Sequence, residues 1–320
     1  MRLSSSQLHE RLSSTHSSLT NRRSTAIVDE LLSTAPQNTK GICYEFRPME
    51  NYRPCDVLLA YECTNYSLSE IESFLELIPN SISQGKILNF ISERKSNPLF
   101  QNLNLVWFSF DWNSDHFPSI PTFYISTQHY KYDNDDLLHQ VSLELVNNMA
   151  ESHVTQAQSV LDALKSCRLN HIGFTYAREA IKTKFVLSVH VNEINSLLDT
   201  LNWQGDYTKL SAILHIAKSL SEDIQISLSF DTVLSKKIEI ELPWVANAQQ
   251  NYLKSEFIQQ VAEVCDTPDG YQNLTEITSW LHHTNLDCAF YTKFSLFEDS
   301  SVNFKAYLHC APIQINRFVS

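Results

Sequence analysis

The chain has 320 residues, of which 43% are hydrophobic and 11% aromatic, so it can bury a sizeable core. Its formal net charge of -12 argues against a broad nucleic-acid surface, because binding the phosphate backbone needs a basic face. No apolar run approaches the roughly 18 residues of a membrane span, and the start lacks the apolar run of a secretory signal. We therefore expect a cytoplasmic protein with no membrane span and no nucleic-acid partner.

Helical and strand periodicities alternate along the chain in a regular order. A first helix is predicted over about 17–34, after a frayed N-terminus at about 1–18. Five pairs of strands are then predicted, at about 41–47 and 56–62, 104–111 and 121–127, 171–177 and 183–192, 223–231 and 236–242, and 288–296 and 302–309. Helical regions separate these pairs, at about 68–94, 134–166, 193–220, 247–264 and 271–283.

The strand pairs recur about every 55–65 residues, which suggests a repeated architecture. No linker or shift in composition divides the chain, so we expect one domain over residues 1–320. Sequential hairpins favour antiparallel pairing. Ten antiparallel strands with helices between the pairs can close into a barrel whose helices lie outside, and closure removes exposed sheet edges.

Several predicted strands have one apolar and one polar face, because successive side chains point to opposite sides of a strand. The strand at 224–231 is an example, since polar Gln225, Ser227, Ser229 and Asp231 alternate with apolar residues. The apolar faces must pack against the amphipathic helices. In a closed barrel the polar faces would line a central chamber, whereas in an open sheet they would face water.

Glycine and cysteine usage excludes several kinds of site. The five glycines lie too far apart for a Rossmann fingerprint, a P-loop or a nucleophile elbow. The pattern H-E-x-x-H is absent as well, which argues against zincin chemistry. The seven cysteines are scattered, odd in number and without a C-x-x-C pair, as expected of reduced thiols in the cytoplasm.

Two short segments stand out within this arrangement of elements. GICYEFRPM lies in the first strand pair and FKAYLH in the last strand. Together with the element order from about 20 to 309, they resemble the aromatic prenyltransferases, the ABBA or PT-barrel family. The resemblance implies an α/β (α+β) fold, a closed ten-stranded antiparallel barrel built from five αββα repeats. The helices would lie outside and the active site inside.

The resemblance also implies roles for three residues. Glu45 in GICYEFRPM matches the acidic residue that accepts the acidic N–H of an aromatic acceptor. Lys305 and Tyr307 in FKAYLH match a lysine that binds diphosphate and a tyrosine that shields the allyl cation. The partners would be an isoprenyl diphosphate donor and a small-molecule or peptide acceptor. No covalent cofactor is implied.

The chemistry of prenyl transfer extends these roles to other residues of the predicted inner face. The leaving diphosphate needs fixed cations, for which the candidates are Lys184, Lys237, Lys293, Lys305 and Arg178. The carbocation needs aromatic faces and exclusion of water, and the candidates for this shield and substrate pocket are Trp107, Tyr124, His190, Tyr291, Tyr307 and His309. A carboxylate must activate the acceptor or take its proton, and Glu45 is the candidate.

The same face carries more acid than a diphosphate pocket needs. The additional carboxylates are Asp111, Asp231, Glu239 and Glu241. They could bind Mg²⁺ that accompanies the diphosphate, as in some proteins of this fold. They could instead bind a cationic acceptor, for example a guanidine or an amine in a peptide.

Two other functions fit the sequence. Cys310 in LHCAP and a histidine could serve as nucleophile and base in a five-fold α/β propeller that modifies guanidines. The chain could also be a non-catalytic barrel that binds a peptide or a partner protein of a biosynthetic pathway.

Overall fold

The computed structural model describes residues 39–48, 56–63, 68–76, 82–110, 121–127, 135–164, 167–176, 181–242, 255–266, 275 and 288–310. Every structural statement below refers to these residues. None of the helices among them is long and apolar enough to cross a membrane. The first predicted helix, at 17–34, lies outside these residues, and so does nearly all of the last, at 271–283.

Ten antiparallel strands form one closed barrel. In chain order they are β1 (Thr39–Phe46), β2 (Asp56–Glu62), β3 (Leu105–Phe110), β4 (Thr122–Ser126), β5 (Arg168–Thr175), β6 (Lys182–His190), β7 (Asp223–Phe230), β8 (Leu234–Leu242), β9 (Cys288–Leu296) and β10 (Val302–Cys310). Each strand pairs with its neighbours in sequence, and β1 pairs with β10 to close the ring. The predicted closed ten-stranded antiparallel barrel is therefore confirmed, and the alternative of an open sheet is wrong. The propeller alternative is wrong as well, because the strands form one continuous ring rather than separate blades.

Helices connect successive strand pairs. In chain order they are α1 (Leu68–Glu76), α2 (Ile82–Glu93), α3 (Asp135–Ala150), α4 (Val154–Ala163), α5 (Ile194–Thr200), α6 (Tyr207–Leu220) and α7 (Ser255–Val264). The helical region predicted over 134–166 is divided by a short 3₁₀ turn at Glu151–His153. The region predicted over 193–220 is divided between α5 and α6. Its second half starts at Asp206, whose carboxylate accepts hydrogen bonds from the backbone N–H groups of Thr208 and Lys209.

The core lies between the outer face of the barrel and these helices. On α6, Leu210, Ile213, Leu214 and Ala217 are buried at the spacing that puts them on one helical face. Burial of such a side chain contributes about 1.5–3 kcal/mol, so the apolar strand faces and the helix stripes together account for most of the driving force. The helices must therefore lie outside the barrel, as the sequence predicts.

The inner face of the barrel keeps contact with solvent. On β6 the outward-facing Phe185, Leu187 and Val189 are buried, whereas the inward-facing Lys184 and Ser188 remain partly exposed. The inner face of β6 is therefore less completely buried than its outer face. We call the interior of the barrel, which the inward-facing side chains line, the chamber.

Candidate active site

The strand register brings charged and aromatic side chains together on the inner face of β1, β10, β9 and β8. Glu45 on β1 lies opposite Tyr307 on β10, which lies opposite Tyr291 on β9. Two residues along β10, Lys305 lies opposite Lys293 of β9. Because cross-strand neighbours lie about 4.5–5.5 Å apart, these two rows form one wall of the chamber.

Glu45 accepts hydrogen bonds at both carboxylate oxygens. Its Oε1 lies 2.6 Å from Nζ of Lys305 and 3.3 Å from Nε of Arg47, and its Oε2 accepts a hydrogen bond of 2.5 Å from the Tyr307 hydroxyl. Arg47 also pairs with the buried Asp56. Burial acts to raise the pKa of Glu45, but Lys305, Arg47 and these hydrogen bonds together hold it well below its ordinary value. Glu45 is therefore a firmly held anion.

Glu239 of β8 is the centre of a second ionic cluster. Its carboxylate oxygens lie 2.8 Å from Nζ of Lys184, 2.9 Å from Nζ of Lys237 and 3.8 Å from Nζ of Lys293. Burial would raise the pKa of Glu239, but the surrounding lysines hold it well below the ordinary value. Burial lowers the pKa of Lys237 although Glu239 acts to raise it. The pKa values of the other three inner-face lysines, Lys184, Lys293 and Lys305, are raised, so Lys237 is the lysine whose charge its neighbours stabilise least.

Lys293 lies between the carboxylates of β8 and the ring of Tyr307. Its Nζ lies 3.0 Å from a carboxylate oxygen of Glu241 and 5.1 Å from the centre of the Tyr307 ring. Burial lowers the pKa of Lys293, but Glu241 and Glu239 raise it more. Among the described ion pairs of the chamber, five cations face four carboxylates, so the two charges nearly balance.

Tyr307 and Tyr291 form an aromatic stack beside these lysines. Their rings are stacked with centroids 4.6 Å apart and an interplanar angle of 2°. The Tyr291 hydroxyl lies 3.3 Å from Sγ of the buried Cys43. The negative π-faces of such rings can stabilise a cation that lies over them.

A second aromatic group lies on the inner faces of β3, β4 and β10. The rings of Trp107 and His309 meet edge to face with centroids 5.3 Å apart, although β1 and β2 separate their strands. The approach is possible because Gly41 and Ala60 occupy the positions between them, and a Cβ atom on Gly41 would lie 2.9 Å from Nε2 of His309. Burial lowers the pKa of His309 to about 4, so its imidazole is neutral near pH 7.

Tyr124 extends this group towards the lysines. It lies opposite Trp107 on one side and Gly173 on the other, and a Cβ atom on Gly173 would lie 2.6 Å from the Tyr124 ring. The missing side chain thus lets the Tyr124 ring lie across β5. Nζ of Lys184 lies 6.0 Å from the centre of that ring.

Ten predicted site residues lie on the inner face of the barrel. They are Glu45, Lys184, Lys237, Lys293, Lys305, Trp107, Tyr124, Tyr291, Tyr307 and His309. Their positions follow from strand alternation, and their chemical roles remain predictions. Arg178 and Asp111 lie outside the described residues.

Two predicted residues lie apart from this group. His190 ends β6, where its ring accepts a hydrogen bond of 3.3 Å from the backbone N–H of Asn192. Asp231 follows β7 in a turn and accepts a hydrogen bond of 3.1 Å from the backbone N–H of Val233. Neither contacts the two ionic clusters in the described residues.

The three described carboxylates among those suggested for Mg²⁺ or a cationic acceptor, Asp231, Glu239 and Glu241, do not gather into one ligand set. Glu239 and Glu241 each form an ion pair with a lysine, and Asp231 accepts a hydrogen bond from the backbone of its own turn. Within the described parts of the chain, no three His, Cys, Asp or Glu side chains are placed to hold a metal ion. These residues therefore do not fit a magnesium site, and magnesium dependence remains a prediction.

Arg47 and Asp56 belong to the ionic network although neither was among the predicted site residues. Asp56 begins β2, whose following inward-facing residues are the apolar Leu58 and Ala60, so this strand shows little polar alternation. The sequence feature that could identify them is the predicted hairpin, which places Asp56 opposite Glu45. Two buried carboxylates at such a position require a shared cation, and Arg47 is the nearest one in the sequence.

Comparison with known proteins supports the fold. No protein-family model and no curated protein matches the chain. Among solved structures, one described as the crystal structure of NotF prenyltransferase superposes with a TM-score of 0.53 at 11% sequence identity, over 95% of this chain and 99% of that one. The closed ring of ten antiparallel strands and this superposition agree, and the chain has the PT-barrel fold of that prenyltransferase.

Proposed function

We propose that the protein transfers an allylic prenyl group from an isoprenyl diphosphate to an aromatic or nitrogen-containing acceptor, a small molecule or a peptide. The observation that carries this proposal is the position of Lys293 over the ring of Tyr307, which is itself stacked on Tyr291. An aromatic ring that binds a cation and the cations needed for the leaving anion thus lie side by side on the inner face of the barrel. The likeness to a prenyltransferase of the same fold supports it.

The donor would bind with its diphosphate among Lys184, Lys237, Lys293 and Lys305. Ionisation breaks the bond between the allylic carbon and oxygen, and the electron pair leaves with the diphosphate. The lysine side chains keep 13% to 25% of their surface accessible, so a ligand in the chamber can reach them. The allyl cation would take the place of the Lys293 ammonium over the Tyr307 ring once Lys293 binds the diphosphate, and the ring would stabilise the cation and keep water away.

Binding of a diphosphate requires rearrangement of the ion pairs. Each of the four lysines lies within 3.0 Å of a carboxylate oxygen. The diphosphate would therefore compete with Glu45, Glu239 and Glu241 for the same ammonium groups. The carboxylates keep the lysines in place until the anion arrives, because a cluster of unpaired buried cations would be costly.

The experiment is a thermal-shift titration with dimethylallyl diphosphate and geranyl diphosphate, with and without Mg²⁺. A ligand that binds only the folded state increases the free energy of unfolding, by about 2.7 kcal/mol at one hundred times its dissociation constant, and thereby raises the melting temperature. Lys305→Ala should abolish the shift by the donor, whereas Glu45→Ala should retain it. Absence of a shift with either donor in either condition would contradict the proposal.

A non-catalytic binding barrel is the second candidate. It is favoured by the nearly complete pairing of chamber lysines with carboxylates, which needs no anionic ligand. Release of diphosphate separates the two functions, since a transferase consumes the donor when an acceptor is present and a binding protein leaves it intact.

A further inference from the structure

The residue that takes the acceptor's proton is a separate question from donor binding. Glu45 is the sequence-based candidate, yet both of its oxygens already accept hydrogen bonds from Lys305, Arg47 and Tyr307. To receive a proton, Glu45 would have to give up one of these contacts.

His309 lies on the same strand as Tyr307, two residues further along β10. Both side chains point into the chamber, because His309 lies opposite Cys43 and Tyr307 opposite Glu45. Two residues of a strand span about 7 Å. A planar acceptor group therefore fits between a cation held on the Tyr307 ring and the imidazole of His309.

The surroundings of His309 leave its imidazole available as a base. In the described part of the chain, its one ring contact is with Trp107, and no hydrogen bond or ion pair engages either ring nitrogen. The residue is partly exposed. A neutral imidazole that faces a cavity without a bonded partner can accept a proton directly.

The acceptor would bind beside the aromatic group of Trp107, Tyr124 and His309. A Cβ atom on Gly41 would lie 2.9 Å from Nε2 of His309, and one on Gly173 would lie 2.6 Å from the Tyr124 ring. The two glycines therefore let both rings lie against the strands. Glycine is otherwise unfavourable inside a strand, since it loses more conformational freedom on folding than other residues.

We infer that His309, and not Glu45, accepts the proton released by the acceptor, which binds beside Trp107, Tyr124 and His309. The inference rests on the proposed prenyl transfer. The allylic C–O bond breaks and its electrons leave with diphosphate, while a nucleophilic atom of the acceptor forms the new bond to the allylic carbon. The proton on that atom moves to a ring nitrogen of His309, which becomes imidazolium and later releases it to solvent.

The test separates transfer from donor ionisation. Wild type, His309→Ala, His309→Asn and Glu45→Gln are incubated with dimethylallyl diphosphate and, in turn, indole, N-acetyltyrosinamide and N-acetylargininamide. Three products are measured, namely prenylated acceptor, dimethylallyl alcohol and diphosphate. Melting temperatures and circular dichroism confirm that each variant is folded.

We expect His309→Ala to lose about 100-fold or more in transfer, the range of general-base catalysis, while still releasing diphosphate and prenyl alcohol. Added imidazole should restore part of the transfer in His309→Ala and none in Glu45→Gln. Transfer by folded His309→Ala at the wild-type rate, or a loss that imidazole does not restore, would overturn the role of His309. Failure of the wild type to release diphosphate would instead overturn the proposed function.

Discussion

Nζ of Lys184 lies 2.8 Å from Oε2 of Glu239, although a whole strand, β7, separates the strands that carry them. On β7 the residues opposite them are Ser229 and Ser227, respectively. These small side chains leave the space in which the two long side chains meet. The ion pair therefore depends on the curvature of the barrel as well as on the two charged residues.

The first prediction concerns Glu239 as the centre of the lysine cluster. Glu239→Gln leaves Lys184, Lys237 and Lys293 without their shared anion, so we expect the free energy of unfolding at pH 7 to fall by about 3–5 kcal/mol. Inorganic diphosphate should stabilise this variant more than the wild type, because the competing carboxylate is gone. Both effects are measured by urea denaturation with and without diphosphate.

The matched control for this variant is Glu62→Gln. Glu62 pairs with Lys40 at 2.8 Å, but both side chains are about 40% exposed. Exposed pairs contribute about 0–1 kcal/mol, so this variant should stay close to the wild type. Equal losses in the two variants would contradict the central role of Glu239.

The second prediction uses the lowered pKa of His309. Because burial lowers this pKa to about 4, the folded protein holds His309 neutral where the unfolded chain, with a pKa near 6.5, already binds a proton. His309 therefore does not reduce the free energy of unfolding above about pH 6.5. As the pH falls from about 6.5 towards 4, protonation of the unfolded chain lowers that free energy. His309→Asn should therefore flatten the fall of the melting temperature over that interval.

A second histidine, His153, also destabilises the folded state as the pH falls. The dependence of the melting temperature on pH should therefore become weaker in His309→Asn but should not disappear. Burial lowers the pKa of His153, whose Nδ1 lies 2.8 Å from the Thr183 hydroxyl on the outer side of the barrel wall. The double variant His153→Asn/His309→Asn should flatten the curve further. An unchanged slope in His309→Asn would show that its imidazole is not held neutral.

The third prediction compares two glycines. Gly41→Ala places a methyl group 2.9 Å from the present position of His309 Nε2, so the imidazole must move away from its contact with Trp107. Because only the end of a side chain has to move, we expect the free energy of unfolding to change by less than about 1 kcal/mol. Prenyl transfer should nevertheless fall at least 10-fold.

Gly85→Ala serves as the control for the added methyl group. Apart from its chain neighbours and the nearby backbone of its own helix, α2, no atom lies within 4 Å of a Cβ at Gly85. Alanine is favoured over glycine in a helix, so stability should rise by about 0.5–1 kcal/mol and transfer should be unchanged. Equal transfer rates in Gly41→Ala and Gly85→Ala would contradict the position assigned to His309.

The fourth prediction separates the ring of Tyr307 from its hydroxyl. Tyr307→Phe removes the hydrogen bond to Glu45 but keeps the stack with Tyr291, so the ratio of prenylated acceptor to prenyl alcohol should change by less than about 3-fold. Tyr307→Leu removes the π-face, and the fraction of prenyl alcohol should rise several-fold because water reaches the cation. Equal ratios in the two variants would argue against a shielding ring.

Much of the fold can be predicted from local patterns. The strand predicted at 288–296 agrees with β9, and the one at 56–62 agrees with β2. The start of β5 is less well predicted, because Arg168 precedes the expected residue 171 and a bulge lies between Leu169 and His171. A bulge disturbs the two-residue alternation by which a strand is identified.

The sequence by itself determined the strand order and which side chains point inward, because alternation along a strand depends only on local backbone geometry. For this reason the sequence alone assigns Lys293, Lys305 and Tyr307 to one inner face. Only the tertiary structure decided which inner residues meet across the chamber, as Lys184 does with Glu239 and Trp107 with His309. Those contacts depend on closure of the ring and on the small residues between the partners, which no local pattern specifies.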